Sequence, residues 1–180
     1  MNHFDAFDWA GTSEAEQKRQ IRKADAHELN AVMRFYDWSL YPQTVIGWAA
    51  AQKNIELGAA LAAFFNGDPM RFNYVPKRDV AEKYNETVRL LDTIFQRINA
   101  GFYLPDPLFC DLKLVKLEAW MEYQQEDIRD RRRGRWVFDH DMLEPILGPQ
   151  VIGFDTEIRE PEGVIGNGFS IRDLLKPLAR

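Results

Sequence analysis

Few side chains in this chain have the types and spacing that chemistry needs. Asp139–His140–Asp141 sets a histidine between two carboxylates, a group that could hold a divalent metal for hydrolysis. A site of that kind wants more histidines, and only His3 and His27 remain. Adjacent residues also leave a helix in different directions, so Asp139, His140 and Asp141 do not converge unaided. A small metal-assisted hydrolase would have to bring His27–Glu28 alongside them. That pair lacks the second histidine, four residues on, that puts two zinc ligands on one helix face. The plainer expectation is an exposed polar turn in which Asp139 or Asp141 caps a helix.

Nucleophilic chemistry finds less. Cys110 falls near an expected helix start, where the helix dipole lowers a thiol pKa. Its neighbours Phe109 and Leu112 suit a buried small hydrophobe instead. No serine stands in a G-x-S-x-G turn. The glycines of GVIGNG precede no Walker lysine, and nothing calls for a cofactor.

The densest charge is the run Arg129, Arg131, Arg132, Arg133 and Arg135. Cations at a helix C-terminus gain about 0.3–1 kcal/mol each from the dipole. Glu122, Glu126 and Asp127 lie within pairing distance on the same helix. Nucleic acid would want a wider basic face with several stacking aromatics, and only Trp136 is adjacent. A solvated helix end, or a dock for the acidic C-terminal segment, fits better. Trp38, Trp48 and Trp120 suit core or core-edge positions. Trp9 and Trp136 lie in less regular stretches, and with Arg131, Arg132 and Arg133 they are the candidate anchors for a partner, since tryptophan and arginine dominate binding hot spots.

The elements that must position these residues are mostly helical. Ser13 with Glu16, and Asp25 with Glu28, read as capping boxes, predicting helix over 14–36 with a break near 24. Tyr36-Asp37-Trp38-Ser39 makes an aromatic corner, and Pro42 opens a helix over 42–52. Asn54 is the expected N-cap of IELGAALAAFF, the central buried helix, which ends at Gly67 in a left-handed C-terminal position. Asp79 with Glu82 caps a helix whose stripe is Val80, Tyr84, Val88, Leu91, Phe95 and Ile98, ending at Gly101. Asp106–Pro107 opens another, with Leu108, Leu112, Val115, Ala119 and Tyr123 as its first stripe, widened by Leu114, Leu117 and Met121. It should stop near Gly134. Pro145 shortens any helix within 136–148. Beyond it, alternation in VIGFDTEIR and the turn EPEG suggest a hairpin.

Residues 25–68 resemble a bacterial family of unknown function. The resemblance rests on His27-Glu28-Leu29, Tyr36-Asp37-Trp38, Pro42 and Ala60-Leu61 through Phe64. The family carries a histidine-bearing helix, a Tyr-Asn-Trp-Asp corner, a proline-started helix and an Ala-Leu-x-x-Phe helix. Asp37 stands where it has asparagine, and Ser39 where it has an acid. The resemblance implies a bacterial helical domain and carries over no catalytic residue.

Composition bounds the rest. An apolar share of 46% with 13% aromatic residues belongs to a globular protein. At 180 residues such a chain buries roughly 70% of its unfolded surface, without a metal or disulfide staple. One cysteine forms no internal disulfide, and the first residues lack a secretory pattern, so a cytoplasmic protein is expected. No apolar run approaches the roughly 20 residues of a membrane helix. The net charge of −5 is uneven. Residues 136–180 hold eight acids and four bases, whereas 76–135 hold eleven acids and twelve bases. An acidic chain repels nucleic acid and accommodates a basic protein partner. The sequence therefore predicts a mainly α protein: a compact domain of five or six helices over 1–148, with an irregular or β-hairpin appendage over 149–180. Its expected role is a non-catalytic protein-interaction module, in one specific form an immunity-type protein. The alternatives are the metal-assisted hydrolase and a homo-oligomeric structural module.

Overall fold

The computed structural model describes residues 6–105 and 114–148, all within one compact unit. Cys110, the helix start at Asp106–Pro107 and the hairpin expected over 149–180 lie outside the described residues. The fold is mainly helical, with helices α1 Glu14–Ile21, α2 Ala26–Phe35, α3 Pro42–Ala49, α4 Leu57–Asn66, α5 Met70–Asn73, α6 Asn85–Asn99, α7 Leu114–Arg129 and α8 His140–Leu147. These exceed the expected five or six because 14–36 is two helices and α5 carries too little pattern to be foreseen. No helix among the described residues is long and apolar enough to cross a membrane.

Local chemistry sets the first half. Ser13 and Glu16 close one capping box and Asp25 and Glu28 another, so two orphan N–H groups are satisfied at each helix start. Pro42 sits at the first position of α3. A buried polar bridge ties the elements together: the Tyr36 hydroxyl donates to Gln17 Oε1 and accepts from the Tyr41 N–H at 3.0 Å. Burial raises the Tyr36 pKa above its ordinary value, opposed by the Tyr41 N–H.

Helix α4 is the centre, with every residue from Leu57 to Phe65 buried. Its small residues let α2 and α6 pack against it. Two expectations about its ends fail for instructive reasons. Asn54 is not its N-cap; the cap position is Glu56, whose N–H donates to the buried Asn30 side chain at 2.9 Å. The Leu57 N–H donates to the Leu104 carbonyl at 2.8 Å, so residues from two other elements complete the helix start. Gly67 does end the helix, but at φ −75°, and Asp68 takes the positive φ of 53°. Glycine is needed at 67 for space: a Cβ there would lie 2.6 Å from Trp38 Cη2 and 2.7 Å from Leu91 Cδ2. Trp38 thus walls the core, although its indole N–H, shielded from water, finds no acceptor among the described residues. Trp48 is more open than expected, 38% exposed under the Arg22 guanidinium.

In the second half the expected 79–82 capping box does not form. Residues Lys77–Asp79 and Glu82–Tyr84 make separate 3-10 turns, and α6 starts at Asn85. From there the periodic stripe behaves as expected, burying Val88, Leu91 and Ile98, with Gly101 at φ 63° ending it. Tyr103 closes the core beside it, its hydroxyl donating to the Ala50 carbonyl at 3.1 Å. Burial pushes its pKa up to about 12.

Helix α7 is rotated from its expected register. Leu117, Trp120 and Asp127 are buried, whereas Val115 is 77% exposed and Tyr123 48%. The stripe that meets the core continues from Leu117 and Trp120 through the polar residues Gln124 and Asp127, at steps of three and four, so an apolar count alone chose the wrong face.

Candidate functional site

The arginine run begins where α7 ends. Arg131 takes a left-handed φ of 54°, breaking the helix before Gly134 is reached. Gly134 is required by proximity, since a Cβ would sit 2.5 Å from Asn73 Nδ2. After a bend at Arg135 the chain runs as an extended segment through 136–139 and is held there by side-chain amides. The Arg135 N–H donates to the Asn73 carbonyl at 2.7 Å, and the Trp136 N–H to Asn73 Oδ1 at 3.2 Å. Gln124 bonds both backbone groups of Phe138, accepting from the N–H at 2.7 Å and donating to the carbonyl at 3.1 Å. Asn99 donates to the Val137 carbonyl at 2.9 Å and accepts from the Asp139 N–H at 3.1 Å. Three amides from α5, α6 and α7 thus do for this segment what a neighbouring strand does in a sheet.

Trp136 is consequently not an exposed anchor. It is 1% exposed, packs edge-on against Phe64 at 5.5 Å, and donates its indole N–H to Asp92 Oδ1 at 2.8 Å. The alternation of the extended segment turns Trp136 and Phe138 inward, a pattern too short to read from the sequence. Trp9 docks as well. It is half-buried, edge-on to Phe7 at 4.7 Å and to Tyr36 at 5.5 Å.

Arg131, Arg132 and Arg133 are exposed as a surface role requires. Arg132 pairs with Asp127 at 3.3 Å and Asp130 at 3.1 Å, and its guanidinium lies 5.9 Å from the Tyr74 ring centre. The Tyr74 hydroxyl donates to the buried Asp127 carboxylate at 3.0 Å. Desolvation, and then Asp127, raise the Tyr74 pKa. Around this cluster the rotated α7 leaves Tyr123 and Ile128 on the surface, near Met70 and Tyr74, and Val115 exposed at its other end. A hollow of about 180 Å³ joins Tyr123, Asp127 and Ile128 to Arg132 and Arg133. A second of about 210 Å³ links Tyr123 to Met70. Sequence reasoning placed Tyr123 in the core and gave Met70, Tyr74 and Ile128 no role.

A wider groove of about 730 Å³ lies on the other side of the extended segment, between the 73–77 turn and α6. Lys77, Arg132, Arg133 and Arg135 line it, with Asp92 as the acid among its lining residues.

Among the described residues the Asp139–His140–Asp141 group gathers no further metal ligand. Asp139 caps α8, accepting from the Asp141 N–H at 3.0 Å, and His140 is the first residue of that helix. Among the described residues no three histidine, cysteine, aspartate or glutamate side chains gather where an ion could be held. His27 stands apart on the exposed first turn of α2. Comparison with protein-family models, with curated proteins and with solved structures returns no match for this chain.

Proposed function

We propose that the protein is a non-catalytic binding module whose contact face is the exposed side of α7 with Met70, Tyr74 and the arginines that follow. The observation that carries this reading is the apolar surface at the C-terminal end of α7. Ile128 is 74% exposed, and tyrosines at 74 and 123 stand about half exposed among arginines. Large apolar and aromatic side chains rimmed by arginine are the composition of an interface centre. Leaving them in water forgoes roughly 25 cal/mol per Å² that a partner would recover.

The partner is a protein that seats an apolar centre on Tyr123 and Ile128 and turns carboxylates toward Arg131 and Arg133, neither of which has an ion pair among the described residues. The chain's net charge of −5 steers in a partner that is basic overall. An immunity-type protein, which neutralises a basic toxin, is the specific form of this reading. Residues 25–68, the stretch that resembles a bacterial family of unknown function, would then supply the scaffold, because the conspicuous residues there are spent on caps and core walls.

The test is co-purification from the native cell of the wild type and of a Tyr123→Asp, Ile128→Asp variant whose fold is checked by circular dichroism. The expected result is one stoichiometric partner, lost in the variant, encoded beside this gene and toxic without it. Wild type that elutes alone in light scattering, or a variant that keeps the same partner, would sink the proposal. A wild-type dimer that the variant splits would identify a second copy of this chain as the occupant.

A further inference from the structure

The groove on the far side of the extended segment supports an inference about a different ligand, with Arg132 and Arg133 bordering both this groove and the hollow beside Tyr123. Four cations line it and one acid, in a chain whose net charge is negative. The acid, Asp92, is already engaged by the Trp136 indole N–H. Arg132 is committed to Asp127 and Asp130. Lys77, Arg133 and Arg135 have no ion pair among the described residues.

Arg135 is the informative one. Both its Nη atoms are shielded from water and find no acceptor, and the guanidinium rests 5.5 Å from the Trp136 ring centre. Native proteins rarely leave a guanidinium both dry and unpaired, because the lost hydration goes uncompensated. A turn of the side chain toward the groove relieves that loss, and an anion there meets a guanidinium with no competing ion pair. Three unpaired cations exceed what one carboxylate needs and suit a dianionic oxyanion, for which the planar guanidinium fork is well shaped. The groove has the size of a small-molecule site, about 300–1,000 Å³, and Tyr74 and Phe95 add aromatic wall to it.

We propose that this groove binds the phosphate group of a small phosphorylated molecule, with Arg135 turning to it as the anchoring cation and Lys77 and Arg133 flanking. The experiment is calorimetric titration of the full chain with inorganic phosphate and glucose 6-phosphate, with acetate and a phosphoserine peptide as contrasts at matched ionic strength. Phosphate is expected to bind saturably at one site, and glucose 6-phosphate more tightly through the groove walls. Arg135→Gln is expected to weaken both by about tenfold or more, and Lys77→Gln by less. Arg19→Gln, an exposed site on α1, should change neither. Lys77→Gln keeps the test decisive if Arg135→Gln does not fold. Absence of phosphate binding, acetate binding as tightly as phosphate, or a phosphoserine peptide binding where glucose 6-phosphate does not would each overturn the proposal. So would affinity unchanged in both Arg135→Gln and Lys77→Gln. None of these variants alters Val115, Tyr123 or Ile128, so the protein-binding face stands or falls separately.

Discussion

Residues 13–67 and residues 133–139 are fixed by opposite means. In the first region the starts of α1, α2 and α3 are written within four residues of themselves, by Ser13 and Glu16, Asp25 and Glu28, and Pro42, and only α4 borrows from distant residues. In the second, the backbone bonds of the extended segment go to Asn73, Asn99 and Gln124, far away in the chain. A local device is legible because its partners are neighbours in the sequence, and it changes stability little because water competes for the same exposed groups. A long-range device is invisible in the sequence. It costs more to break, because the groups it satisfies are shielded.

The largest test is whether the two regions are one cooperative unit. Phe64 of α4 meets Trp136 at 5.5 Å and Phe138 at 5.2 Å, and so joins them. Phe64→Ala is expected to lower stability by about 3–5 kcal/mol in urea unfolding, as a single transition. Two separate transitions would show that the regions fold independently and would break the comparison.

Gln124→Ala is next. It orphans the N–H and carbonyl of Phe138 and should cost about 2–3 kcal/mol. Faster proteolysis within 133–139, followed by mass spectrometry, should accompany the loss. A cost below about 0.5 kcal/mol would mean that Trp136 and Phe138 packing, not the amides, holds the segment.

Gly67 separates space from backbone conformation inside the legible region. Gly67→Ala should cost about 1–2 kcal/mol by forcing Trp38 or Leu91 aside. Asp68→Gly should be neutral or stabilising by up to about 1 kcal/mol, since glycine accepts a positive φ readily. The reverse pattern in thermal melts would return the left-handed role to Gly67.

Ser13→Ala and Asp25→Ala are expected to be the mildest, about 1 kcal/mol each by thermal unfolding. Values matching Gln124→Ala would erase the contrast between local and tertiary devices.

The register of α7 shows where reading stopped and why it matters for function. An apolar stripe through Val115, Ala119 and Tyr123 is genuine, and so is one through Leu117 and Trp120. Which of the two meets the core depends on whether Gln124 and Asp127 find hydrogen-bond partners there. Those partners, Phe138 and Tyr74, come from elsewhere in the fold. The candidate site inherited the same blindness. Arg131, Arg132 and Arg133 were legible as surface charge, while Met70, Tyr74 and Ile128 were not legible as their neighbours. Trp136 looked like an anchor because its stretch lacks helical periodicity. A tryptophan in an extended segment fills a core as readily as one in a helix.

By itself the sequence determined the helical class, the two capping boxes, the break between α1 and α2, the proline start of α3 and the burial of α4. Each of these follows from contacts within a turn or two of chain, where spacing and residue type are sufficient. Tertiary structure alone decided where α4 begins, why residue 67 has no side chain, which face of α7 is left to water, and that Arg135 is dry and unpaired. Those outcomes depend on which distant groups share a space. Spacing along the chain carries no record of that.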